Sequence, residues 1–268
     1  MPPEPLETTA PDTTCAAPRA TVKHRAPDFA RRAPLDEFPE RMDEPCSRED
    51  LRAYLRDLAR VNRLLFGYRP ILHWLETLRR TRVLAPGTAP VRILDVGCGY
   101  GDTPRRIELW ARSNHIPLEL TGLDLNPDAA AIAAEASPSQ SKIRYLAADV
   151  FSYQPHEPPH LIVSSLFTHH LPDADIVRFL CWMERNAQVG WFINDLSRHP
   201  TPYRLFGWFA RLLRLHPFVR HDGSVSIARA FVPADWQRYC AAAGLSQTDV
   251  EMRGFTPGRL CVSRSKRA

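Results

Sequence analysis

Ile93-Leu94-Asp95-Val96-Gly97-Cys98-Gly99-Tyr100-Gly101 is a short apolar run that ends in three alternating glycines. Apolar residues from Val91 to Val96 fit a buried strand, and the glycines after them fit a tight turn. Beyond the turn, Asp102 as cap and Pro104 in the first turn start a helix that runs to about Asn114. A strand that feeds a glycine turn and then a helix N-terminus makes a ligand cradle, because the missing Cβ atoms let a ligand approach the backbone. The spacing is G-x-G-x-G, whereas dinucleotide binding uses G-x-G-x-x-G. Asp95 also sets a carboxylate two residues before the first glycine, which repels a pyrophosphate and suits a ligand with an ammonium group and a sulfonium.

Outward from the loop, the chain alternates strands and helices. Strands are expected at Leu118–Leu123, Ile143–Ala147, Leu161–Ser165 and Trp191–Asn194, with helices at Asp128–Ala136 and Asp173–Asn186 between them. Such alternation predicts a mostly parallel sheet with helices on both faces. Residues 196–230 interrupt it as a helical insert, with a helix over Tyr203–Leu215. A helix over Pro233–Ala243 and two strands, Gln247–Arg253 and Arg259–Ser263, joined at Thr256-Pro257-Gly258, close the chain. Two acids sit at strand ends. Asp124, about 20 residues past the loop, is where a carboxylate holds a ribose diol. Asp149 follows the third strand, where it can accept from an adenine amino group, with Val150 or Leu125 against the ring.

As a set, Asp95–Gly101, Asp124, Asp149 and Ser164–Leu171 resemble the ordered motifs of class I S-adenosylmethionine (SAM)-dependent methyltransferases, over about residues 91–264. The resemblance implies an α/β, Rossmann-like seven-stranded sheet with an antiparallel last strand. It places Gly97, Cys98, Gly99 and Gly101 around the methionine part of SAM, Asp124 on the ribose and Asp149 near the adenine. Ser165, at the end of the fourth strand, is counted with these contacts. The segment Asp57–Leu65 also looks similar to small bacterial methyltransferases of quinone and phenolic polyketide pathways.

The acceptor side is expected at Ser165-Leu166-Phe167-Thr168-His169-His170, because ligands bind beyond the carboxyl ends of parallel strands. An imidazole there can take a phenol or alcohol proton as the methyl moves. His169 stands where the resemblance to plant phenolic O-methyltransferases implies a general base. His170 and His199 are further candidates, Asp195 can orient a histidine, and Arg220-His221-Asp222-Gly223 is a further polar cluster read as a turn. The expected reaction is methyl transfer to a hydroxyl of a hydrophobic aromatic small molecule, a phenol or quinol. C-methylation of a similar ring and a non-catalytic SAM-binding role are the alternatives. No metal is expected, since no His, Asp or Glu set has convincing ligand spacing. The helix at 203–215 is broadly apolar with a narrow Arg204, Arg211, Arg214 face; it suits a lid, an acceptor wall or contact with an anionic membrane surface.

The rest of the composition narrows the class. The 268 residues carry a net charge of +5 with no run of basic residues, which gives no support for nucleic acid. Six cysteines lack CxxC pairing, and no secretory signal or apolar stretch of about 18 residues is visible, so a cytoplasmic location is expected. The oligomeric state is not legible. Residues 1–45, rich in proline, read as a disordered and dispensable tail. Residues 46–85 hold two helices, the first capped by Ser47, with Pro86, Gly87 and Pro90 closing the segment. Residues 86–268 are the catalytic domain, with the insert at 196–230 as a lid.

Overall fold

The structure is a computed structural model that describes residues 27–84 and 89–266. Residues 1–26 of the expected tail and the Pro86-Gly87 break lie outside them. The element order is α1 (Arg48–Leu64), α2 (Arg69–Arg80), β1 (Val91–Val96), α3 (Asp102–Ser113), β2 (Leu118–Asp124), α4 (Pro127–Glu135), β3 (Arg144–Ala147), β4 (Leu161–Ser165), α5 (Asp173–Asn186), β5 (Gly190–Leu196), α6 (Pro200–Leu212), α7 (Pro217–Arg229), α8 (Pro233–Ala242), β6 (Val250–Phe255) and β7 (Arg259–Ser265). The seven strands form one sheet in the order β3-β2-β1-β4-β5-β7-β6. β1 to β5 are parallel, and β7 runs antiparallel between β5 and β6. This is the expected Rossmann-like sheet with its antiparallel last strand.

Both faces of the sheet are covered, which is why its central strands are continuously apolar instead of alternating. Along β1, Ile93 packs with Ile71, Trp74 and Ile107 of α2 and α3. Its neighbour Leu94 points the other way, into a core with Phe179 and Trp236 of α5 and α8. The α/β layering therefore follows from a period of two on strands whose two sides are both dry. The chain reverses at the carboxyl ends of β1 and β4, where order in the strand sequence switches direction and a crevice opens. No described helix is long and apolar enough to cross a membrane.

Three expectations change. Residues 27–46 are not a free tail but a strap on α7: Ala33 and Phe38 are buried against Val225 and Ala228. Arg229 donates to the carbonyls of Phe38 (2.9 Å) and Leu35 (3.3 Å), and Arg198 donates to that of Phe29 (3.0 Å). Second, α7 spans the cluster at 220–223 that read as a turn. It buries Asp222, Ser226 and Arg229, so it lacks the apolar stripe that marks a helix in sequence. Third, Asp102 does not cap α3; Gly101 holds that position at φ 71°, and Asp102 instead accepts from Tyr68 (2.7 Å) and Asn62 (3.3 Å).

Candidate active site

The glycine turn is built as its sequence requires. Gly97 has φ +71°, and a Cβ there would lie 2.7 Å from Phe167, so only glycine fits both the backbone and the neighbour. Gly99 donates to Asp124 Oδ2 at 2.8 Å and Asn126 donates to Oδ1 at 3.0 Å, so the acid at the end of β2 braces the loop. Together they wall a cavity of about 310 Å³ that reaches Asp95, Gly97, Cys98, Gly99, Leu125 and Ser165. That volume is at the lower end of small-molecule sites. Asp95 is 1% exposed, and its Oδ1 has no hydrogen-bond partner among the described residues. Burial, with Asp102 and Asp124 nearby, pushes its carboxyl well above the usual range. A buried acid with an open oxygen and acidic neighbours asks for a cationic donor, and the ammonium and sulfonium of SAM meet that demand. The residues fit the group.

Three expected cofactor contacts, Gly101, Asp149 and Val150, do not line this cavity. Asp149 is exposed just beyond β3, where its carboxylate accepts from Phe151 at 2.9 Å, and Val150 is buried in the main core.

The second cavity, about 130 Å³, adjoins the first; the two share Leu58, Asn62, Leu166 and His170 as walls. Most of its lining is apolar, from Tyr54 and Val61 of α1 to Phe206 of α6 and Val219 of α7. At one end stand the two histidines after β4. His169 is buried, with Nδ1 2.7 Å from Asp195 Oδ1 and its backbone N–H donating to Oδ2 at 3.2 Å. Thr168 and the Leu196 N–H donate to the same carboxylate at 2.5 and 2.7 Å. Burial would raise Asp195, but the His169 ring and these donors outweigh it and hold the carboxyl below the usual range. With Nδ1 donating to that anion, Nε2 is the basic nitrogen, 3.9 Å from Glu40 Oε1.

His170 faces the strap. Its Nδ1 is 3.6 Å from Asp43 and its Nε2 3.9 Å from Glu40. Burial lowers an imidazole, yet Glu40 and Asp43 raise this one above its ordinary value against the opposing Arg229. Asp43 shows the reciprocal effect: burial is overcome by His170 and Arg229, which bring it down to about 2. A raised imidazole contributes stability below the ordinary value of 6.5 and loses it as pH rises through the raised one. A depressed carboxyl contributes above 3.8 and loses it as pH falls toward about 2. The pair therefore pins the strap best from about pH 4 to 6.5 and slackens above. Proteolytic cleavage within 27–46, normalised to a free peptide of that sequence, should accelerate from pH 6 to 8. A constant ratio would remove His170 as the pin.

His199 is not part of the site. It is exposed, caps α6 by accepting from Thr201 at 3.2 Å, and lines neither cavity. Glu40, Asp43, Asn62 and Arg259 line the two cavities and were missed by the sequence reading. The Glu-Arg-Met-Asp run at 40–43 was the available signal, masked by prolines on either side. Glu40, His169 and His170 bring ligand atoms within 4.8 Å of one another, a grouping that sequence spacing does not reveal. Arg229 stands 3.3 Å from Glu40 Oε1.

Residues 93–190 match the family described as methyltransferase domain. That segment runs from β1 to the start of β5, and over it the chain is similar to a methyltransferase domain. Its sequence is 32% identical over 163 residues to the trans-aconitate 2-methyltransferase of Streptomyces avermitilis, covering 57% of this chain. The chain spans 58% of that relative's length. Among solved structures, a plantazolicin methyltransferase in complex with SAH has a TM-score of 0.57 at 15% identity, over 82% of this chain and 96% of that one. Human N-acetylserotonin methyltransferase in complex with SAM has a TM-score of 0.58 at 14% identity, over 83% of this chain and 57% of that one. At these identities the two structures speak for the fold of this chain and for nothing finer.

Within the cofactor cavity, Asp124→Ala should weaken SAM binding by about 1.5–3 kcal/mol, the loss of a hydrogen bond to a charged group. Titration calorimetry reads this directly. Unchanged affinity would remove Asp124 from the ligand's contacts.

Proposed function

We propose that this enzyme transfers the methyl group of SAM to a hydroxyl of a small, largely apolar aromatic acceptor, a phenol or quinol. The carrying observation is the apolar cavity that adjoins the cofactor cavity and ends at His169, held by Asp195. The cofactor is SAM, which supplies a methyl group activated on a sulfonium. Asp95 and the glycine turn hold its cationic end, and Asp124 stands ready for the ribose. Leu166 and His170, shared by both cavities, form the seam across which donor and acceptor meet. The acceptor oxygen bonds to the methyl carbon as the carbon–sulfur bond breaks, and its proton passes to Nε2 of His169. Asp195 keeps Nδ1 protonated and stabilises the imidazolium that results. Walls from α1, α6 and the strap keep water away and align the pair.

Finer expectations belong to this proposal. The described cysteines are unpaired, which supports a reducing, cytoplasmic location. Leu205, Trp208 and Leu212, 58%, 67% and 65% exposed, form one stripe on α6 beside exposed Arg204 and Arg211. They support peripheral contact with an anionic membrane surface. The test of the main reading is single-turnover transfer from methyl-labelled SAM across a panel of monocyclic phenols and quinols. Label on oxygen supports it. Label on ring carbon assigns C-methylation, and SAM binding without transfer to any panel member assigns a binding role.

A further inference from the structure

Two residues that line the acceptor cavity each carry a buried polar atom with no hydrogen-bond partner among the described residues, and His170 Nε2 stands 3.9 Å from one of them, Glu40 Oε2. Glu40 is 1% exposed; its Oε1 accepts from Ser226 at 2.9 Å and faces Arg229 at 3.3 Å, while Oε2 has no hydrogen-bond partner among the described residues. Arg259, at the start of β7, is 6% exposed; its Nη2 donates to Asn62 Oδ1 at 2.7 Å, while Nη1 has no partner there. Both residues line the cavity. Leaving a buried polar group unmade costs about 1–3 kcal/mol, more for charged groups, so such atoms persist where a ligand completes them.

The two demands are opposite. A carboxylate oxygen only accepts, so Oε2 requires a donor. A guanidinium only donates, so Nη1 requires an acceptor. His169 separately requires the hydroxyl that loses its proton. Between these groups the walls are apolar, and a volume of about 130 Å³ is close to that of a cavity that takes a single benzene ring.

We propose that the methyl acceptor is a one-ring polyhydroxylated carbonyl compound. Besides the hydroxyl that is methylated, it carries a second hydroxyl that donates to Glu40 Oε2. It also carries a carbonyl or carboxylate oxygen that accepts from Arg259 Nη1. Glu40 and Arg259 are then the specificity-determining residues of the site, one delivered by the strap and the other by the antiparallel strand. The assignment rests on the methyl-transfer reading above and sharpens its substrate class. A site built to pair with polar groups rejects analogues that lack them, because the protein's own atoms are left unpaired.

The test is equilibrium binding of four probes to the full chain saturated with S-adenosylhomocysteine. Resacetophenone carries two hydroxyls and a carbonyl. Resorcinol lacks the carbonyl, para-hydroxyacetophenone lacks the second hydroxyl, and phenol lacks both. Resacetophenone should bind about 10-fold or more tightly than resorcinol or para-hydroxyacetophenone, with phenol weakest. Arg259→Gln should bring resacetophenone down to the level of resorcinol and leave resorcinol itself unchanged. Glu40→Gln should erase the advantage over para-hydroxyacetophenone and leave the carbonyl's contribution intact. S-adenosylhomocysteine affinity is the folding control for both variants, and Arg259→Lys, which keeps the charge, should retain part of the preference. Four equal affinities, or variants that weaken all probes alike, overturn the proposal while the methyl-transfer reading stands. Failure to bind S-adenosylhomocysteine overturns that reading, and this proposal with it.

Discussion

His169→Ala should lower kcat by about 10²–10⁴-fold while SAM affinity stays near that of the wild type. The cause is geometric. His169 lines only the acceptor cavity, and its Nδ1 is fixed 2.7 Å from Asp195. Asp195 in turn collects donors from Thr168 and the Leu196 backbone, so the imidazole has one orientation and one useful tautomer. Asp195→Asn should therefore fall within the same range, because an amide in that place favours the wrong tautomer. His199→Ala should keep the wild-type rate, since that ring only caps α6. If His169→Ala and Asp195→Asn both retain near wild-type turnover, the acceptor arrives ionised and alignment alone carries the rate.

The parts of this picture legible in sequence are those written in contiguous residues with one period. The glycine turn, the acids ending β1 and β2, and the His-His pair after β4 each announce themselves, because a dry strand must be apolar and its carboxyl end must face a ligand. What escaped the reading depends on pairings between distant segments. Glu40 is buried only because Ser226 and Arg229 receive it, and Arg259 only because Asn62 does. A buried polar residue looks like an exposed one until its partner is known. The same logic hid α7, whose inward face is Asp222, Ser226 and Arg229, and disguised the strap, whose prolines suit an extended segment lying on a surface as well as a free one. Asp149 stands apart: it follows β3 as expected, yet one of its oxygens accepts from Phe151 and the residue does not line the cofactor cavity.

Deleting residues 1–46 should lower the thermal midpoint by on the order of 10 °C and abolish acceptor turnover, while deleting residues 1–26 should change neither. The strap's weight comes from buried charge. Arg229 is 2% exposed and spends its guanidinium on Glu40, Asp43 and the Phe38 and Leu35 carbonyls. Asp222, 1% exposed, accepts from the backbone N–H groups of Arg41 (2.9 Å) and Met42 (3.2 Å). Removing the strap strips Arg229 of these partners and leaves Asp222 with His221 at 2.9 Å, and an uncompensated buried charge costs about 3–5 kcal/mol. At about 2–4 °C per kcal/mol for a domain of this size, even one such loss is large in a melting curve. The shorter deletion touches none of these contacts. Turnover falls with the longer one for a separate reason: Met42 and Asp43 wall the cofactor cavity and Glu40 walls the acceptor cavity, so both open to water together. Calorimetry on the two truncations, with labelled transfer measured alongside, separates the contributions. A chain lacking residues 1–46 that melts with the wild type would show that α7 satisfies its ions without the strap.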